Sequence, residues 1–154
     1  MNFDFSKDIL TDKDISFLAQ KLKIKLNQIA MKDEILNLKD GNYILNLQNH
    51  NQSGSHWTAF IKKGNKIYYC DSFGMPMPQE ELNLFTDEKD IIYFNTTQIQ
   101  DIESKCCGYF AIEFLLYFKI NKGFNLNKFL NLFSLKKLKQ NDAIVKDYIK
   151  NSLF

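Results

Sequence analysis

Between Cys107 and Phe118 only Glu113 is charged, and apolar side chains occur at every angle around the helical turn. A helix with so little polar surface predicts burial at the centre of a domain, with the rest of the chain built around it. The polar stretch 100–106 runs straight into this segment, so its first turn opens on two thiols, Cys106 and Cys107. The unpaired N–H groups and positive dipole end of a helix favour an anion there, which draws a thiol toward its thiolate. A buried structural cysteine is the competing reading, because free Cys is among the most buried residue types.

The chain around it suits one domain, residues 1–154, with 45% apolar residues including 14 Phe and 7 Tyr. All 20 basic residues are Lys and the formal net charge is only +2, which gives little electrostatic reason for tight nucleic-acid binding. Three cysteines, two of them adjacent, make no disulfide framework, and no CxxC or HxxxH spacing offers a metal site. A reducing compartment is expected. Met1 to Phe5 lacks the start of a signal peptide and no run of about 18 apolar residues suggests a membrane span, so neither secretion nor membrane contact is expected. Asn51-Gln52-Ser53 and Asn95-Thr96-Thr97 match glycosylation acceptors and read as surface loop and strand end.

Thr11 caps a helix carried by Ile15, Leu18, Ala19 and Leu22 and ending near Lys23. Residues 26–38 are mixed, with helical periodicity only toward their end. Residues 43–47 read as a strand, followed by the polar loop 48–55. Residues 57–62 and 67–71 then flank Gly64-Asn65, a hairpin signal that sets Lys63 opposite Lys66 and Phe60 opposite Tyr69. In that register His56 and Asp71 share a sheet face as diagonal neighbours, with Cβ atoms roughly 7 Å apart. A short helix is expected after Pro78, a buried strand over 90–95, and helices beyond Gly123 and Asn141. The fold class expected is α+β, an antiparallel sheet packed on a central helix with the thiol at its N-terminus and helices flanking it.

A cysteine nucleophile needs a base, a group that orients the base, and donors for the oxyanion that forms on the attacked carbonyl. Cys107, His56, Asp71 and Gln100 can fill these roles. His50, the other histidine, lies in an Asn-rich loop, whereas His56 has an acid across the hairpin. A lone His with a lone Cys is a weak pattern, and it is the hairpin that strengthens it.

Gly54-Ser55-His56-Trp57, then Tyr69-Cys70-Asp71-Ser72-Phe73-Gly74, then Gln100 seven positions before Cys107-Gly108, resembles the adenovirus-type maturation cysteine proteases. The same residue order occurs in the clan of SUMO- and ubiquitin-like-protein-specific proteases. The short chain and the Asp-Ser-Phe-Gly turn are most similar to proteases of virophages and polinton-type elements. The resemblance implies Cys107 as nucleophile, His56 as base, Asp71 as its orienting group and Gln100 as oxyanion donor beside the backbone N–H of Cys107. It also implies substrate contact for Trp57 and Gly108, with Trp57 reading equally as a plain core aromatic and Gly108 letting the helix start approach other backbone closely. By the spacing to Gln100 and the following Gly108, Cys106 ranks as a packing neighbour and Gln98 falls behind Gln100, while Cys70 is expected in the core.

An endopeptidase that cleaves viral capsid or core precursors through a thioester is therefore expected, acting in the virion and the host-cell virus factory. No cofactor is required by the sequence, although the resemblance leaves activation by a peptide or by DNA open, with weak DNA contact through Lys clusters. A monomer is expected. The alternatives are an isopeptidase acting on ubiquitin-like modifiers and a non-catalytic peptide-binding module on the same fold.

Overall fold

In the computed structural model, residues 3–31, 34, 38–47, 56–123 and 125–153 are described. The elements are α1 (Asp12–Lys21), β1 (Leu26–Met31), β2 (Gly41–Asn46), β3 (Trp57–Lys63), β4 (Lys66–Cys70), α2 (Gln79–Phe85), β5 (Ile91–Phe94), α3 (Cys107–Ile120), α4 (Leu126–Leu130) and α5 (Asn141–Ser152), with a 3-10 turn at Leu138–Gln140. The fold is α+β, as expected. The polar loop 48–55, including His50, the Asn51 acceptor and Gly54-Ser55, lies outside the described residues, as does most of the helical periodicity assigned to 33–38.

The hairpin forms in the expected register, with Lys63 opposite Lys66 and Phe60 opposite Tyr69. Gly64 has φ +58°, the left-handed conformation that a two-residue turn needs. The sheet is not antiparallel throughout. In the order β1-β2-β3-β4-β5, β2 and β4 run antiparallel to β3, while β1 pairs parallel with β2 and β5 parallel with β4. The cause at the β4 side is α2, which lies in the connection to β5 and returns the chain in its original direction, the crossover that a parallel pair requires. A hairpin signal is local, whereas a crossover leaves no such mark on the sequence.

Alternation along β2, β3 and β4 feeds two apolar layers. Ile44, Trp57, Ala59, Ile61 and Cys70 share one core with α3 and with residues of α1 and α5, and Tyr43, Leu45, Phe60, Ile67 and Tyr69 pack with Met77 and Phe85 on the other face. β5 departs from expectation. It is an edge strand, with Ile91, Tyr93 and Phe94 exposed by 47%, 40% and 41%, because it has a neighbour on one side only.

α3 is the buried central helix, with eleven of its fourteen residues buried. Burial pushes the Glu113 carboxyl up from 4.5 to about 8, so the one acid of this helix is carried uncharged at neutral pH. α1 is capped as expected: Thr11 Oγ1 accepts from Asp14 N at 3.2 Å, and Asp14 Oδ2 accepts from Thr11 N at 2.9 Å.

The segment ahead of α1 crosses the start of α3. The Tyr109 hydroxyl donates to Lys7 O, the Cys106 thiol lies 3.6 Å from Asp8 Oδ1, and Trp57 Nε1 donates to Leu10 O at 2.9 Å. A Cβ added at Gly108 would stand 3.0 Å from the Cβ of Leu10, so glycine there admits the crossing segment. The close neighbour of Gly108 is thus a leucine side chain rather than backbone.

Candidate active site

Each group of the site is delivered by the end of a secondary-structure element. His56 immediately precedes β3, Asp71 follows β4, and Cys107 opens α3. His56 Nε2 lies 2.7 Å from Asp71 Oδ1, which settles the diagonal relation expected from the hairpin. Both are largely withdrawn from water, their side chains 15% and 3% exposed. Nδ1 of His56 is buried, and the Cys107 thiol stands close enough to the ring to interact with it. With Nε2 committed to Asp71, Nδ1 is the ring nitrogen left to serve the Cys107 thiol.

Burial works against a charged imidazole, but the hydrogen bond to Asp71 and the nearby Cys107 thiol outweigh it, and the His56 pKa is raised from 6.5 to about 9. At neutral pH His56 therefore holds its proton and is positively charged. An imidazolium beside a sulfur at a helix N-terminus stabilises negative charge as it develops on that sulfur. The backbone N–H of Trp57 adds to this, donating to Cys107 Sγ at 3.4 Å.

The other two thiols are of a different kind. Burial, with Asp142 nearby, raises Cys106 from 9.0 to about 12. Burial in the apolar core raises Cys70 further. Cys106 is turned toward Asp8 and Cys70 toward the core, as the sequence ranking has them.

Several supporting residues were not picked out from the sequence. Phe73 stacks on the His56 ring at a centroid distance of 4.7 Å, and its backbone N donates to Asp71 Oδ1 at 2.8 Å. Asn95 is 2% exposed and grips the backbone of Asp71 at both ends: its Oδ1 accepts from Asp71 N at 3.1 Å and its Nδ2 donates to Asp71 O at 2.6 Å. It is thus a buried clamp on Asp71 and not a surface glycosylation acceptor. The only sequence signal for this role was an Asn terminating an apolar run.

Gln100 is fully buried, and its carboxamide is held by Ser72 and Ser104, both outside the four expected roles. Gln98 is half-buried and donates to Gln100 O at 2.8 Å, bracing its neighbour. Cys107 is the first residue of α3, so its backbone N–H stands at the helix N-terminus. Among the described residues no group of three or more His, Cys, Asp or Glu side chains could hold a metal ion, and no helix is long and apolar enough to cross a membrane.

The turn after Asp71 is locked against the Gln100 loop. Ile99 N and Gln100 N both donate to Ser72 O, at 2.9 and 3.0 Å. Gly74, at φ +78°, sits so close that an added Cβ would lie 2.9 Å from Gln98 N and from the carbonyl carbon of Thr97. Gly74→Ala therefore meets backbone as well as an unfavourable φ, and is expected to lose at least ~2 kcal/mol of stability. The midpoint of urea unfolding reads this directly, provided the slope of the transition is unchanged.

No protein-family model matches the sequence, and no curated protein matches it. The structure is similar to solved structures of the SUMO protease Ulp1. The form with the catalytic cysteine oxidised to a sulfinic acid aligns with a TM-score of 0.48 and 16% identity, over 95% of this chain and 80% of that one. The sulfenic acid form aligns at 0.46 and 15%, over 100% and 89%. At these scores the likeness places no residue and assigns no activity to the present chain.

Proposed function

We propose that this chain is a cysteine endopeptidase that cleaves capsid or core precursor polypeptides during virion maturation. The observation that carries the peptidase reading is His56, held at one ring nitrogen by buried Asp71 and offering the other toward Cys107 at the N-terminus of α3. The viral substrate class rests on the likeness of the motifs around His56, Asp71, Gln100 and Cys107 to those of maturation proteases.

In this reading the Cys107 sulfur attacks the scissile carbonyl carbon, and Gln100 with the Cys107 N–H receives the oxygen that becomes negative. The proton held by His56 passes to the leaving amine as the C–N bond breaks, which leaves a thioester on Cys107. Water, giving its proton to the now neutral His56, then attacks the thioester carbon. The C–S bond breaks with its electron pair going to sulfur, which releases the acid and restores Cys107 beside the imidazolium. Asp71 keeps the imidazole ring in place throughout.

Mass spectrometry of capsid precursors from the same genome, incubated with the purified protein, tests the proposal. New termini at a small set of repeated sites are expected. If precursors stay intact while a ubiquitin-like fusion is cut, the substrate is a modifier and the maturation role falls. If neither is cut, the endopeptidase reading falls.

A further inference from the structure

The polar contacts of Gln100 continue beyond it in a single direction. Its Oε1 accepts from Ser72 Oγ at 2.5 Å, and its Nε2 donates to Ser104 O at 3.0 Å and to Ser104 Oγ at 3.2 Å. Ser104 Oγ donates in turn to Asp142 Oδ1, 2.7 Å away in the first turn of α5, and accepts from Cys106 N at 3.1 Å. A hydroxyl has one proton. With that proton on the Asp142 carboxylate, Ser104 Oγ can only accept, so it selects the N–H end of the Gln100 carboxamide. Ser72, donating, selects the oxygen end. Asp142 thus determines which way round Gln100 sits.

The number of N–H groups matters next. Nε2 carries two, and both are engaged on Ser104, at its carbonyl and its hydroxyl.

We propose that Ser104 and Asp142 are positioning residues that keep the N–H end of Gln100 turned so that the oxygen of an acyl group under attack at Cys107 takes over one N–H from Ser104. This rests on the acyl-transfer reading given above. It extends the site to α5, which the roles read from the sequence do not reach. Loss of Ser104 or Asp142 frees the carboxamide to rotate, with a cost felt only where a carbonyl oxygen gains charge.

Two reagents that differ in this respect make the test. With p-nitrophenyl acetate, Cys107 Sγ bonds to the acetyl carbon, the ester C–O bond breaks, and p-nitrophenolate leaves with the bonding pair, so a carbonyl oxygen becomes negative on the way. With iodoacetamide, Sγ displaces iodide from a methylene carbon and no oxyanion forms. Ser104→Ala and Asp142→Ala are expected to slow acylation about tenfold while leaving alkylation of Cys107 within about twofold. Ser104→Thr, which keeps the hydroxyl, is expected to restore acylation. Ser104→Ala placed on Gln100→Ala is expected to add nothing further, because its effect runs through the same carboxamide.

Equal slowing of both reactions would make Ser104 merely structural and overturn the proposal. So would unchanged acylation in Ser104→Ala, or a full additional loss on the Gln100→Ala background. A wild-type protein acylated no faster than Cys107→Ala would instead overturn the acyl-transfer reading, and the proposal with it.

Discussion

Cys107→Ala is expected to abolish peptide cleavage, with a loss on the order of 10⁴-fold or more, because no other thiol can take its place. Cys106 is the neighbour in sequence, yet its sulfur faces Asp8 and its pKa is pushed up to about 12, so it is protonated and turned aside at neutral pH. Cys70 is buried in the apolar layer under α3. Cys106→Ala is accordingly expected to retain most of the activity. Intact-mass analysis after a short pulse of iodoacetamide should place the first adduct on Cys107 in the wild type and show none at that speed in Cys107→Ala. An adduct that forms equally fast in Cys107→Ala would remove Cys107 from the nucleophile's role.

The second large effect is expected at Asp71. Asp71→Asn keeps the shape of the side chain but removes the charge that stabilises the imidazolium, and kcat is expected to fall by about 10² to 10⁴-fold. The pH profile separates this from a folding defect. In the wild type, His56 loses its proton near pH 9, so the alkaline limb of kcat/KM is expected there. Burial, which opposes the charged ring, stays in the variant while the hydrogen bond and charge of Asp71 go, so the limb moves to lower pH. The same shift bears on stability. A pKa raised from 6.5 to about 9 contributes stability that is complete below about pH 6.5 and is lost as pH rises through about 9. Thermal melts should therefore fall across that window in the wild type and change less in Asp71→Asn. An alkaline limb that stays near pH 9 in the variant would assign it to another group.

The meeting of His56 with Asp71 and the place of Cys107 at a helix start are legible in the sequence because they depend on local rules. Gly64-Asn65 fixes a hairpin register, and the register alone brings His56 and Asp71 to one face. The apolar stretch after Cys107 likewise dictates a buried helix, whatever surrounds it. What could not be read depends on contacts distant in sequence. Asn95 grips Asp71 across 24 positions, and Ser104 meets Asp142 across 38, with no periodicity to announce either. The parallel pairing of β1 and β5 escaped for a related reason, since strand direction is set by where a crossover returns the chain. Burial of β5 was overestimated because an apolar run is the same in a central strand and at an edge.

The segment that crosses the start of α3 bears on when that turn can be covered. Tyr109 meets Lys7 across 102 positions, Cys106 meets Asp8 across 98, and Lys146 pairs with Asp8 across 138. During synthesis the first of these residues emerges long before the last, so these closures wait until Tyr109, and then Lys146, have been made. Contacts of such long range are slow to form, because loop closure must come before the contacts that repay it. The covering of the first turn of α3, where Cys106 and Cys107 sit, is therefore completed only after Lys146 has been made.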